Sequence, residues 1–303
     1  MKRRMIAIGE VMLELRPDGG AWQLGLGGDT FNTAAFCARL GLSTAYLTML
    51  GEDPFSTDML RRIAGHGVDC GLILRDPTAL PGLYAIQTDE AGERSFFYWR
   101  KEAAARSLLH HPAVEQLFEA AVQTDLLYLS GITLSLFGAE GRSRLRGLAQ
   151  DVRRRGGRVA FDPNFRPKGW SDEAEARDAM ADFASEIDIA LPTFDDERLL
   201  HGDGDPHATI ERWKALGVRE VVVKVGRDGC VIGGDSPEVS IRPDREVLPV
   251  DTTGAGDSFN AAYLAARLHG RAPEEAGRAG NALAAAAIMH AGALGLLHAE
   301  AGD

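Results

Sequence analysis

Cysteine is scarce in this chain: Cys37, Cys70 and Cys230 are the only three in 303 residues, an odd number at wide spacing. They form neither a disulfide framework nor a zinc-knuckle pattern, and they suit a reducing, cytoplasmic setting. Long apolar runs are missing as well. The start, Met1-Lys2-Arg3-Arg4, is basic, but the apolar stretch behind it stops at Glu10, too short for a signal peptide. Ala282–Leu297, mostly alanine and glycine with His290 inside it, falls short of the roughly 20 residues that cross a bilayer. No membrane partner is expected. Positive charge is in deficit, with 33 Lys and Arg against 44 Asp and Glu and a net charge of -11. That balance excludes a general nucleic-acid binder, while leaving room for a local basic pocket that takes a small anion. No repeat of 20–50 residues and no Pro/Ser-rich linker divides the chain. Two nucleotide fingerprints are also absent. Gly9 stands alone after the first apolar run, so there is no Gly-x-Gly-x-x-Gly, and no Gly-x-x-x-x-Gly-Lys-Ser/Thr occurs anywhere.

What is present is an ordinary globular composition, 45% hydrophobic and 25% charged, patterned as strand–helix–strand. Strands are predicted at Met5–Gly9, Ala45–Leu50, Leu126–Ser130, Val159–Asp162, Ile187–Leu191 and Val221–Val225. Helices are predicted at Thr30–Leu40, Phe55–Ala64 (with Leu60 and Ile63 inward), Arg142–Arg155, Glu173–Ser185 and His207–Leu216. Alternation at this spacing gives an α/β fold, a mostly parallel central sheet covered by helices on both faces. Two segments break the rhythm, Glu10–Leu26 and Gly82–Arg100. The second reads as an aromatic hairpin, Leu83–Gln87 and Ser95–Trp99 around a polar turn at Asp89–Glu93. Such hairpins could be an edge ribbon or a lid over the carboxyl ends of the strands, where open α/β sheets bind ligands. The expectation is one domain, 1–303, with small β segments inserted at about 10–26 and 82–100.

One stretch carries chemistry: Asp251-Thr252-Thr253-Gly254-Ala255-Gly256-Asp257-Ser258-Phe259, running into a helix that ends near Gly270. Glycines at a helix start free backbone N–H groups and let an anion approach closely, and the helix end adds partial positive charge. Gly254, Ala255 and Gly256 therefore read as an anion hole. Asp257, in the first helical turn beside it, can take the proton from an attacking hydroxyl. The plainer reading, a turn and an N-cap, explains a bare Gly-x-Gly-Asp but not the longer string. A second stretch, Gly27-Gly28-Asp29-Thr30-Phe31-Asn32, opens the first helix. Asp29 and Asn32 offer groups for sugar hydroxyls, although taken alone the segment is an ordinary helix start.

Together the Gly-Gly-Asp-x-x-Asn and Asp-Thr-Thr-Gly-Ala-Gly-Asp-Ser-Phe strings, in this order, resemble the ribokinase-like (PfkB) carbohydrate kinases over essentially the whole chain. The resemblance implies a three-layer α/β/α fold with a small β lid, and ATP with Mg²⁺ as co-substrate. It implies Asp257 as base and Gly254-Ala255-Gly256 as anion hole. The strings Leu80-Pro81-Gly82-Leu83-Tyr84, Gly92–Arg100 and Phe161–Pro167 resemble the acid-sugar branch of the family. They imply phosphorylation of the terminal (C6) hydroxyl of 2-keto-3-deoxygluconate. Sugar contacts are then expected from Gly28, Asp29, Asn32, Tyr84, Tyr98, Arg100 and Arg166, the arginines suiting a carboxylate. Nucleotide contacts are expected from Asn164, Arg166, Lys224, Gly226, Gly229 and Asn281. Where many relatives carry Asn-x-x-Glu for magnesium, this chain has Thr193-Phe194-Asp195-Asp196, leaving Asp196 to act through water. Arg94 is expected on a solvated lid face.

Two rival readings remain on the same residues. One is a kinase for a neutral sugar such as fructose or ribose. The other is a sugar sensor that kept the fold and lost catalysis, against which the intact Asp257 loop argues. The histidines are spaced singly apart from His110-His111, so no metal cluster is expected. An apolar lid bearing Phe96, Phe97 and Trp99 favours a homodimer or higher homo-oligomer through the lid.

Overall fold

The computed structural model describes residues 3–88 and 94–301. The chain opens with β1 (Arg4–Ile8), then a hairpin of β2 (Met12–Asp18) and β3 (Ala21–Gly27), then α1 (Asp29–Arg39). β4 (Ser43–Gly51), α2 (Pro54–Gly65) and β5 (Ile73–Asp76) follow, then a second hairpin, β6 (Leu83–Thr88) and β7 (Arg94–Trp99). Next come α3 (Val114–Ala121), β8 (Leu126–Ser130), α4 (Gly131–Leu136), α5 (Ala139–Arg154), β9 (Arg158–Asp162) and α6 (Glu173–Ala184). The remainder is β10 (Ile189–Ala190), α7 (Phe194–His201), α8 (Pro206–Ala215), β11 (Glu220–Lys224), β12 (Cys230–Gly234), β13 (Val239–Ile241), α9 (Ala255–Leu268), α10 (Pro273–Ala287) and α11 (Gly295–Ala301).

Nine strands form the main sheet in the order β13-β12-β11-β10-β9-β8-β1-β4-β5. Pairing is parallel from β11 to β5, and β12 and β13 join antiparallel at one edge. The near-continuous apolar strands are explained by burial on both faces. Within β1, Ile6 and Ile8 face one core cluster while Met5 and Ala7 face the other. The expected strand at Ile187–Leu191 shrinks to Ile189–Ala190. Pro192, with no backbone N–H to donate, follows at once, and the ladder resumes only as a bridge between Thr193 and Lys224. Ile63 is fully buried as expected, whereas Leu60 is partly buried.

The two inserted segments form one four-stranded sheet, β3-β2-β6-β7. Each hairpin is antiparallel, but β2 and β6 join them in parallel, which two independent hairpin readings do not foresee. Register places Glu14, Tyr84 and Tyr98 side by side across three strands. Pleating puts that row on one face, with Met12, Ile86 and Phe96 around it, and Leu13, Leu26, Phe97 and Trp99 on the other. The turn at Asp89–Glu93 and the Arg94 side chain lie outside the described residues.

Candidate active site

The helix starts do the positioning. Gly254 caps α9 with φ +76°, and a Cβ there would stand 2.9 Å from Ala293 Cα, so only glycine fits the turn that presents Ala255 and Gly256. Asp257 follows in the first turn. Its Oδ2 accepts a 2.8 Å hydrogen bond from Asn32 Nδ2, on the first turn of α1, and the Thr33 hydroxyl reaches the Asp257 carbonyl at 3.3 Å. The two motifs, more than 220 residues apart, thus meet at a pair of helix N-termini. Burial pushes the Asp257 carboxyl up to about 7; the charges of Asp29 and Asp162 add to this, while the Asn32 hydrogen bond and Lys224 oppose it. A carboxyl poised there suits a general base at neutral pH.

Beneath the Gly254–Gly256 turn lies a polar network that sequence reading missed in part. Lys224 Nζ, at the end of β11, donates to Asp162 Oδ2 at 2.7 Å and to Asn260 Oδ1 at 3.1 Å. Asn260 Nδ2 donates to Asp162 Oδ2 at 2.6 Å and to the Tyr128 hydroxyl at 3.1 Å. A Cβ on Gly256 would sit 3.6 Å from Lys224 Nζ, so the ammonium stands directly under the anion hole. Asp162, Asn260 and Tyr128 were not singled out from sequence. The one available signal was Asp162 itself, a charge ending an apolar strand where parallel sheets place their sites. Asp162 Oδ1 also accepts from the Asn164 N–H at 3.1 Å, and Asn164 Nδ2 donates to Asp29 Oδ2 at 2.9 Å. Asn164 holds φ +35°, a strained setting for a non-glycine residue, and these two contacts keep it there.

The inner face of the lid carries two of the expected sugar residues, Tyr84 and Tyr98, and the start of α1 carries Gly28, Asp29 and Asn32. Gly28 has φ +152°, and a Cβ there would run into the Glu10 carbonyl at 2.3 Å, so the chain turns from β3 into α1 tightly against β1. The Tyr84 hydroxyl donates to Glu14, a buried acid missed from sequence. Burial raises the phenol of Tyr98, and the opposing and reinforcing fields of Arg100, Arg166 and Asp29 reach its hydroxyl, so lid and body groups face one cleft. The arginines differ from the expectation of free cations. Arg100 is ion-paired with Glu10, which is 3% exposed, and its guanidinium lies 6.0 Å from the Tyr98 ring centre. Arg166 pairs with Asp196 at 3.1 Å. Burial raises the Asp196 carboxyl, Arg166 lowers it, and the charge of Asp162 raises it again. Asp162 is taken up by Lys224, Asn260 and Asn164, so a divalent ion here would fall to Asp196 and share it with Arg166.

Gly226 (φ +59°) and Gly229 (φ +91°) shape the β11–β12 turn beside Lys224, and Asn281 Nδ2 donates to the Ile241 carbonyl at 2.9 Å just behind Gly229. The structure therefore joins Asp257 to Asn32, Asn164 to Asp29, and Lys224 to the Gly256 turn, while Asn281 and Gly229 meet each other at the β12–β13 edge. His207, Glu211 and Glu238, all exposed, bring ligand atoms within 4.8 Å of one another, and Glu238 pairs with His207 and Glu211 with Lys214. Among the described residues no helix is long and apolar enough to cross a membrane.

This constellation, a base at a glycine-built anion hole under a β lid, is that of a sugar kinase, and residues 3–299 match the pfkB family carbohydrate kinase model. The chain belongs to that family. It is 40% identical to the 2-dehydro-3-deoxygluconokinase of Dickeya dadantii (strain 3937), over 96% of each chain. It is likewise 40% identical to the 2-dehydro-3-deoxygluconokinase of Escherichia coli (strain K12), over 97% of each. Its fold is similar to that of a putative ribokinase II from E. coli in complex with ATP and Mg²⁺, with a TM-score of 0.84, 26% identity and 99% and 98% of the two chains covered.

Proposed function

We propose that this chain transfers the γ-phosphoryl group of ATP to the terminal (C6) hydroxyl of 2-keto-3-deoxygluconate, giving 2-keto-3-deoxy-6-phosphogluconate and ADP. The observation that carries the reading is Asp257, held by Asn32 beside the Gly254–Gly256 turn with Lys224 beneath it. The 40% identity to enzymes named for this substrate directs the choice of sugar. In this reading the chain works as one kinase domain with the lid sheet inserted, in the cytoplasm.

Asp257 takes the proton of the C6 hydroxyl as its oxygen attacks the γ-phosphorus, and the bond to the β–γ bridging oxygen breaks. The N–H groups at Gly254-Ala255-Gly256 and the start of α9 meet the charge spreading over the phosphoryl oxygens. Lys224, fixed by Asp162 and Asn260, supplies a cation that need not reorganise. Mg²⁺ enters with ATP and neutralises phosphate charge, and Asp196 would hold it, directly or through water. Asp29, Asn32 and the Gly28 backbone, with Glu14 and Tyr84 from the lid, present acceptors and donors to the sugar hydroxyls. Tyr98, Arg100 and Arg166 lie toward the far end of a six-carbon chain, where the acid group must go. Asn164, Gly226, Gly229 and Asn281 shape the nucleotide side.

The apolar outer face of the lid supports a homodimer, since Trp22, Phe97 and Trp99 are 58%, 47% and 62% exposed there. ADP release over a sugar panel tests the function. A charge-assisted contact to the carboxylate, worth on the order of 10–150-fold in binding, should make kcat/KM for the acid exceed that for fructose by at least this range. Equal use of fructose would make this a neutral-sugar kinase, and binding without ADP release would make it a sensor.

A further inference from the structure

A second cleft, of about 790 Å³, lies between the root of the lid and helices α1, α2 and α11, with Glu14 close behind its Gly25 wall. Its walls carry Arg16, Arg39, Arg62, His66 and His298, and among the described residues lining it there is no Asp or Glu. That is a local reversal in a chain whose acids outnumber its Lys and Arg by 44 to 33. The floor is apolar, built by Leu24, Leu26 and Leu297. Two of the arginines are aimed by backbone carbonyls, and of these Arg16 hydrogen-bonds to neutral partners, Gln23 and Ala291. Arg16 Nη1 donates to the Ala291 carbonyl and Arg62 Nη1 to the Leu24 carbonyl, both at 3.0 Å. Arg62 also pairs with Asp58 at 2.7 Å, outside the cleft lining. His66 and His298 stand ring to ring, 5.4 Å between centres, with His66 edge-on to Phe31. Burial lowers both imidazoles, His298 lowers His66 further, and Arg16 and Arg62 lower His298, so this cluster repels added positive charge. Arg39 and Arg62 lie in the last turns of α1 and α2 and would complement those helix ends in any protein. That role does not account for Arg16, for the paired histidines or for the cavity.

We propose that this cleft is a second ligand site, for a small organic polyanion carrying at least two negative charges on a compact apolar frame. Preorganised guanidiniums over an apolar floor, in a cavity of ligand size, are the features such a molecule requires. The ligand would touch Arg16 and Leu24–Leu26 of the lid sheet on one side and His298 of the body on the other. It would thereby tie the lid root to α1, whose far end holds Asp29 and Asn32, and to the segment after Ala291, where Ala293 backs Gly254.

The test is calorimetric titration of the intact enzyme with citrate and with 2,3-bisphosphoglycerate, without Mg²⁺. The comparison is between wild type, Arg16→Gln/Arg62→Gln and the single variant Arg39→Gln at the exposed rim, each with its melting temperature measured alongside. Saturable binding that weakens at least about 10-fold in the double variant, and measurably in Arg39→Gln, is expected from the loss of charge-assisted contacts. A non-hydrolysable ATP analogue and the sugar should leave that binding in place. Equal affinity in all three proteins, displacement by either active-site ligand, or no binding at 10 mM-scale anion, about the weakest affinity a metabolite could use, would overturn the proposal.

Discussion

At the scale of single residues, the proposed base is Asp257, and its role turns on its protonation state. Its carboxyl is raised from an ordinary value near 3.8 to about 7, chiefly by burial. The base must be ionised to work, so kcat/KM should climb as pH rises through about 7 and level off above it. Asp257→Asn should abolish that limb and lower turnover by roughly 10²–10⁴-fold, the usual worth of a positioned base. Stability moves the other way. A raised carboxyl favours the folded state at low pH and penalises it as pH rises through the folded value, so at pH 8 the Asn variant should melt no lower than wild type. A variant with normal turnover would reduce Asp257 to a helix cap. Arg100 offers a second residue-scale prediction, because Glu10 already pairs with it. Arg100→Met should erase on the order of 10–150-fold of the preference for the acid over fructose. Glu10→Gln should erase part of that preference in wild type and none in the Arg100→Met background, since Glu10 acts by aiming the guanidinium. Additive losses in that cycle would separate the two residues.

Among elements, α7 shows how the nucleotide side is anchored. Its first turn carries Asp196 toward Arg166, while the next residue, Glu197, points inward to Arg212 and to Trp213 Nε1 on α8. Glu197 is buried, which raises its carboxyl to about 7 against the pull of Arg212. Arg212 also pairs with Asp203 at 2.6 Å. Replacing Arg212 with Met strands a buried carboxylate and should cost roughly 3–5 kcal/mol at pH 8. The cost should shrink at pH 6, where Glu197 takes up a proton and Asp203, whose carboxyl is held low, is the one charge left without Arg212; denaturant unfolding at the two pH values measures it. A pH-independent loss would mean that packing, not charge, ties α7 to α8. Helix α8 was legible from apolar spacing, and α7 was not. The inward Glu197 was not, because its spacing fits a solvated face as well as a buried ion pair.

For the whole molecule, the proposed dimer rests on the lid. Trp99→Glu places a charge in the exposed aromatic face and should shift the oligomer to a monomer in sedimentation equilibrium. A wild-type protein that sediments as a monomer at micromolar concentration would remove the dimer reading. The lid also marks the boundary between what was readable and what was not. Sequence alone determined the α/β alternation, the glycine-built helix start at Gly254–Gly256 with its Asp257, and the aromatic hairpin, because each is written in neighbouring residues through periodicity, turn chemistry or motif. Tertiary structure alone decided that β2 pairs with β6, that Lys224 meets Asp162 and Asn260 under the anion hole, and that Arg100 and Arg166 are spoken for by Glu10 and Asp196. It alone brought five bases to one cleft. The paired partners lie 30 to 90 residues apart and the cleft's bases run from Arg16 to His298, and no local pattern records which of many buried charges will share a cavity. Their proximity, and with it the protonation of Asp257, exists only once the sheet has been wound.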